Sequence, residues 1–290
     1  MTDYPFRGTA VVTGAGSGIG RALAHGLVAR GLDVAAIDIH QDRLDAVAGE
    51  LRSNGPRVTT HRIDVAEQEA VAALPEAVAA QHDAPVSMLF NNAGVALGGR
   101  FDQVSEDDFD WLMDINLHAP IRLTRAFLPT LRQAPAARIV NISSIFGIIA
   151  PAGQTAYCTA KFGLRGFSEA LRHELEGSSV GVTVVHPGGI NTRIAQDART
   201  DSARAAGMTE DEIQAAKARS QKSLVMPPER AAQRILDAAA ARKGRLLIGN
   251  DARVAATIQT LFPVRYHGVL QRWLSAADEQ GSAAGRQGAR

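Results

Sequence analysis

A single cysteine, Cys158, stands in 290 residues, so no internal disulfide and no cysteine-rich zinc or iron-sulfur site is available. That removes the small secreted scaffolds held by disulfides. Aromatic residues make up only 5% of the chain, and the 8 histidines are scattered, with no HxxxH pair among them. No metal site is expected. No window holds about 18 consecutive apolar residues, which argues against a membrane span. An excess of one charge is also missing, because 31 Lys plus Arg face 30 Asp plus Glu. There is then neither a basic field for nucleic acid nor a polyacidic tail, and nucleic-acid binding is set aside. Residues 1–8 carry charge and a proline where an export signal needs an apolar run, so the chain reads as soluble and cytoplasmic.

What is present is the material of an ordinary core, 46% hydrophobic and 21% charged. At roughly 150 residues per domain the length suggests about two domains, or one large domain with an appendage. From Thr9 to about Gly249 one grammar repeats: a short β-branched run, a glycine or polar turn, then a helical stretch rich in Ala and Leu. The pattern predicts strands over residues 10–12, 33–37, 58–62, 86–90, 138–142, 182–186 and 245–248. Apolar spacing of three to four predicts helices over 20–30, 43–52, 105–131 and 155–175. Seven strands alternating with helices imply an α/β fold, a doubly wound and mostly parallel sheet covered on both faces. Residues 1–249 are expected to form one domain, with 190–228 a polar, helical insertion over a site. An amphipathic extension follows over 250–274, carrying Val254, Ile258, Leu261 and Phe262, a break at Pro263, then Val269, Leu270, Trp273 and Leu274. Residues 275–290, rich in Ala, Gly, Gln and charge, read as a disordered tail.

Three local features point to chemistry. The run Thr13-Gly14-Ala15-Gly16-Ser17-Gly18-Ile19-Gly20 follows the first strand and opens the first helix. Glycines there permit a tight turn and close approach of backbone to a pyrophosphate, whose charge the helix N-terminus favours. An ordinary strand-to-helix turn is the plainer alternative. Asp38 ends the second strand, 18 residues beyond Gly20, where a carboxylate accepts hydrogen bonds from the ribose of NAD and repels a 2′-phosphate. Nearby Arg43 leaves NADP open, although Ser17 occupies a position where a basic side chain would have suggested it. Tyr157 and Lys161, four apart on a predicted helix, share one face. A free phenol titrates at about 10, and an ammonium beside it favours the phenolate. A surface pair is the alternative there.

Taken together, and in this order along the chain, these elements resemble the short-chain dehydrogenase/reductase family in its compact single-domain branch, over roughly residues 6 to 250. The matching pieces are Thr13-Gly14-x-x-x-Gly18-x-Gly20, Asp64, Asn91-Asn92-Ala93-Gly94, Asn116, Ser144, Tyr157-x-x-x-Lys161 and Pro187-Gly188. The resemblance implies a three-layer, Rossmann-like architecture. It also selects Ser144 over the adjacent Ser143, since the family's serine lies 13 residues before its tyrosine. It implies Tyr157 as general acid or base, Lys161 holding the nicotinamide ribose and depressing the tyrosine pKa, and Ser144 polarising the substrate carbonyl. Asn116 would steady a helix kink and a proton-relay water. Gly14, Ser17, Gly18, Ile19 and Gly20 would cradle the pyrophosphate, with Asp38 on the ribose and Asp64 and Val65 at the adenine. Asn92, Ala93 and Gly94 would line the ribose, and Pro187, Gly188, Ile190 and Thr192 would flank the nicotinamide. For Asp64 a helix N-cap is the alternative role.

The expected activity is NAD(P)-dependent interconversion of a secondary alcohol and a ketone. Phe146, Ile148, Ile149, Val95, Leu97 and Met226 fall in loops that suggest an apolar or bulky substrate. Cys158 reads as a packing residue rather than a nucleophile. The rivals are a dinucleotide-binding sensor without turnover, a nucleotide-sugar epimerase or dehydratase, and a Rossmann-like methyltransferase. An intact Ser144, Tyr157 and Lys161 set speaks against the first, and the G-x-x-x-G-x-G spacing against the second. The resemblance suggests a homodimer or homotetramer. The extension over 250–274 departs from the compact pattern, and three readings compete for it: packing on the body or a partner subunit, a lid over the substrate, and contact with a membrane surface.

Overall fold

The β-branched and alanine-rich runs become β1 (Thr9–Thr13), β2 (Asp33–Asp38), β3 (Val58–Arg62), β4 (Val86–Asn91), β5 (Ala137–Ile142), β6 (Val180–Pro187) and β7 (Arg245–Ile248). The structure, a computed structural model, describes residues 5–52 and 55–269. The strands form one sheet in the order β3-β2-β1-β4-β5-β6-β7, every adjacent pair parallel. Parallel strands buried on both faces need apolar residues at successive positions rather than alternation. Accordingly β1, β4 and β5 are buried at every residue, while the edge strands β3 and β7 are partly exposed and carry Thr59, Thr60 and Arg245.

The helices are α1 (Gly18–Val28), α2 (Gln41–Leu51), α3 (Gln68–Ala79), α4 (Glu106–Met113), α5 (Ala119–Leu131), α6 (Thr155–Glu174), α7 (Asp201–Ala205), α8 (Glu210–Lys222), α9 (Pro228–Ala240) and α10 (Asn250–Leu261). Leu23 and Leu27 of α1, Leu44 and Val47 of α2, and Ile235 and Leu236 of α9 fill one face of the sheet. Val71 and Leu74 of α3, Leu123 and Phe127 of α5, and Leu171 of α6 fill the other. The three layers of the predicted fold are therefore present. Among the described residues no helix is long and apolar enough to cross a membrane.

One feature corrects the sequence reading. The single helix expected over 105–131 is α4 and α5 joined by a turn of π-helix, Asp114–His118. Pro120 has no N–H with which to close an α-helical bond to the Asn116 carbonyl, and the Ala119 N–H instead bonds back to the Asp114 carbonyl. The insertion carries α7 and α8, separated by turns. Beyond β7 the chain enters α10, whose Ala252, Ala255 and Ala256 are buried. Leu270, Trp273, Leu274 and the tail at 275–290 lie outside the described residues.

Chain order reverses across the sheet between β1 and β4. In doubly wound folds the crevice beyond the carboxyl ends of the two strands at such a switch is where a ligand fits.

Candidate active site

At the end of β1 the backbone turns through Gly14 and Gly18, both at positive φ of 63° and 53°. Gly20 is held for a different reason: a methyl group there would collide with the Gly14 carbonyl and the Asn92 amide. The Thr13 hydroxyl donates to the Phe90 carbonyl at 3.2 Å and accepts from the Asn92 and Ala93 N–H groups at 3.0 Å. The Asn92 side chain donates to the Thr13 carbonyl at 2.8 Å. The glycine turn and the turn after β4 are thus one unit. The first turn of α1 carries no acidic residue, and the Ser17 hydroxyl caps none of its N–H groups. Such a helix start offers positive charge and free donors to an anion. Ile19 is partly buried against the core beneath.

Asp38 ends β2 with both carboxylate oxygens committed, accepting from Gly16 N–H at 2.9 Å and His40 N–H at 3.0 Å. Arg43 is drawn to Asp197, 3.4 Å away. Asp64 accepts from Ala66 N–H at 2.9 Å in the turn before α3. The N-cap of α3 is Glu67, so Asp64 does not fill the helix-capping role. Val65 is buried under the crevice. The turn carrying Gly188, Ile190 and Thr192 closes on the glycine turn, since a methyl on Gly18 would stand 2.9 Å from the Thr192 methyl.

The polar group of the site gathers on α6 and the loop after β5. The Ser143 hydroxyl is buried and donates to the Lys161 carbonyl at 2.9 Å. The Ser144 hydroxyl instead accepts from Phe146 N–H at 3.1 Å and lies near enough to the Tyr157 phenol to bear on its ionisation. Phe146 meets the Tyr157 ring edge-on, with centroids 6.1 Å apart. Lys161 is buried, its Nζ donating to the Ile142 carbonyl at 3.1 Å and lying 5.6 Å from the Tyr157 ring centre. Asn116 is fully buried. Its amide donates to the Val95 carbonyl at 2.9 Å and its Oδ1 accepts from Val95 N–H at 3.0 Å. A methyl on Gly94 would stand 2.9 Å from Asn116 Oδ1 and 3.5 Å from Lys161 Nζ, so these three positions converge.

Burial governs the ionisation of the tyrosine and the lysine. Burial pushes the Tyr157 phenol up to about 12, opposed by the nearby Ser144 hydroxyl. Burial also pulls Lys161 down to about 8. The lysine was expected to lower the phenol. Desolvation is the largest cause of both shifts.

Asn141 and His186 were not legible in advance as parts of this site. Asn91 points into the protein, donating to Asn141 Oδ1 at 2.7 Å, and Asn141 donates to the Ser168 hydroxyl at 2.8 Å. His186 of β6 pairs with the Ser144 carbonyl at 2.9 Å. A polar residue within the apolar run Val184-Val185-His186 was the available signal. Of the apolar loop residues, Leu97 and Val95 pack with Leu112 and Ala160, and Met226 packs against the α1–α9 core. Burial pushes the Cys158 thiol up to about 11, which suits a packing residue.

Comparisons with known proteins agree with this geometry. The family model described as short chain dehydrogenase matches residues 8–203. The Mycobacterium tuberculosis protein SadH, described as an oxidoreductase, is 38% identical over 259 residues, covering 89% of this chain and 91% of its own. A short chain dehydrogenase/reductase from Burkholderia phymatum in complex with NAD superposes with a TM-score of 0.81 at 28% identity, covering 90% of this chain and 95% of its own. A metagenomic short-chain oxidoreductase in complex with NADP has a TM-score of 0.66 at 29% identity, covering 83% and 96%.

Proposed function

This chain belongs to the short-chain dehydrogenase family of NAD(P)-dependent oxidoreductases, and on that premise we propose that it interconverts a secondary alcohol and a ketone, with NAD(H) preferred. The observation that carries the reading is the half-buried Tyr157 phenol beside buried Lys161, whose Nζ lies 5.6 Å from the ring centre, with the Ser144 hydroxyl near the phenol. A protein that only sensed the dinucleotide would need no proton donor there.

The crevice suits a dinucleotide: a glycine cradle with no space for a side chain at Gly20, a helix start with free donors, and a fixed carboxylate at the end of β2. Gly14, Ser17, Gly18, Ile19 and Gly20 would hold the pyrophosphate, and Asp38 the adenosine ribose. Asp64 and Val65 would border the adenine. Asn92, Ala93, Gly94 and Lys161 would hold the nicotinamide ribose, with Pro187, Gly188, Ile190 and Thr192 beside the ring. When bound, the cofactor supplies the hydride donor or acceptor.

The chain's own residues handle the oxygen and its proton. In ketone reduction Ser144 donates a hydrogen bond to the carbonyl oxygen, and Tyr157 delivers its phenolic proton as negative charge develops there. The phenol held near 12 favours this donor state. In oxidation the same atoms run in reverse, with Tyr157 taking the hydroxyl proton. Asn116, locked to Val95 within the π-turn, fixes the wall beside Lys161. NAD is favoured because the carboxylate at the end of β2 would repel a 2′-phosphate, and Arg43 is engaged with Asp197.

The test is a matrix of NADH and NADPH against small, bulky and steroid-like ketones, followed by absorbance of the reduced nicotinamide. We expect turnover with NADH at least about tenfold more efficient than with NADPH, a difference of about 1.4 kcal/mol, and bulky apolar ketones preferred over small ones. NADH binding without turnover of any ketone would favour the sensor reading. A reversed cofactor ratio would remove the role given to Asp38.

A further inference from the structure

The peptide of Gly189, in the turn after β6, is clasped from two directions. Its carbonyl accepts from Val225 N–H at 3.1 Å and Met226 N–H at 3.0 Å, both at the end of the insertion. Its N–H donates to Asp251 Oδ2 at 2.8 Å, and Asp251 belongs to α10. The carboxylate comes so close that a methyl on Gly188 would collide with both of its oxygens. A second tie lies across the mouth of the site, where Ala150 N–H donates to the Tyr266 hydroxyl at 2.9 Å. Residues after β7 therefore hold both the turn after β6 and the loop that follows Ser144.

We infer that Asp251 is a positioning residue for the Gly188–Gly189 turn, and that with Tyr266 it makes the C-terminal segment a wall of the active site. The inference deepens the proposed function, because the turn it fixes is the one assigned to the nicotinamide side. In a freely moving turn the Gly189 N–H points wherever solvent takes it. Bound to Asp251, with its carbonyl bound to Val225 and Met226, the peptide keeps one orientation, and Pro187 and Ile190 on either side keep theirs. Positioning of this kind acts through reduced freedom before binding, so its loss falls first on cofactor affinity. Asp251 also sits in the first turn of α10, where a carboxylate favours the helix dipole. A role confined to that helix is the rival.

The two roles separate in Asp251→Ala, Asp251→Asn and Tyr266→Phe, prepared in the full chain. Hydrogen–deuterium exchange without cofactor reads the turn directly, and NADH affinity is taken from its fluorescence. In Asp251→Ala we expect exchange over residues 187–191 to rise about fivefold and the NADH Kd to weaken about fivefold, the size of one exposed charge-assisted hydrogen bond. Asp251→Asn keeps an acceptor without the charge and should restore most of both. Tyr266→Phe should loosen 148–152 alone. Exchange confined to 250–261, a turn that exchanges as in the parent, or an unchanged NADH Kd would each overturn the assignment. If the parent itself bound no NADH, the dinucleotide reading would fall, while the exchange data would still decide whether Asp251 holds the turn.

Discussion

His186 stands beside the site under one of its largest charge penalties. It is fully buried, its Nδ1 bonds to the Ser144 carbonyl, and its Nε2 meets no partner. Burial, with Arg245 and Arg165 nearby and Glu169 opposing them, takes the ring from 6.5 down to about 4. The ring is therefore neutral, with Nδ1–H donating to the carbonyl. Because the folded value is depressed, the unfolded chain takes up a proton between pH 6.5 and about 4 that the folded chain refuses. Stability is fully present above that window and falls as pH drops through it, by about 3 kcal/mol in all. His186→Gln, compared with the parent by urea unfolding at neutral pH and near the bottom of the window, should lose less stability on acidification. The lowered His61 and His82 remain in both proteins and cancel. Equal losses would show that His186 is not the responsible group. At this scale the sequence exposed Tyr157, Lys161 and Asp38, because their chemistry depends on type and spacing. It could not distinguish Ser143 from Ser144 without the family's offset, since neighbours in a loop diverge only once β5 and α6 are docked.

Strand positions were legible at the element scale because a sheet buried on both faces writes itself as apolar runs, and β3 and β7 fall on the predicted residues 58–62 and 245–248. The break at Asp114–His118 was not, because periodicity does not register a single π-turn. The proline that forces it, Pro120, could have been read as the warning. The insertion is likewise attached by contacts no pattern displays. Arg199 donates its N–H to the Ala96 carbonyl at 3.2 Å. Its guanidinium reaches Asp108 at 3.1 Å and Asp201 at 3.4 Å, and stacks 4.5 Å over the Trp111 ring. Asp108 also accepts from the Ser202 N–H and hydroxyl. Removing the side chain in Arg199→Ala leaves a nearly buried carboxylate short of its cation, worth about 1 kcal/mol at this half-exposed arginine. Limited proteolysis over 195–222 should accelerate about fivefold, and the ketone KM should rise more than kcat falls. Cleavage at the parent rate would mean that the insertion is held by other contacts.

Length alone suggested two domains for the whole molecule, yet the described residues build one sheet with a core on each face. We propose that 1–249 is a single catalytic body and that α10, packed on β7 and the loop after Ser144, belongs to its site rather than to a second core. This division agrees with the physics of size, since some 40 residues cannot bury a core of their own. The central claim remains that this assembly places one tyrosine as proton donor against a substrate oxygen. It is tested most directly by the steady-state turnover of Tyr157→Phe with NADH and the best ketone of the panel, alongside its NADH affinity. The account predicts a loss of about 10² to 10⁴ in kcat with NADH binding retained. Near-parental turnover in that variant would contradict it.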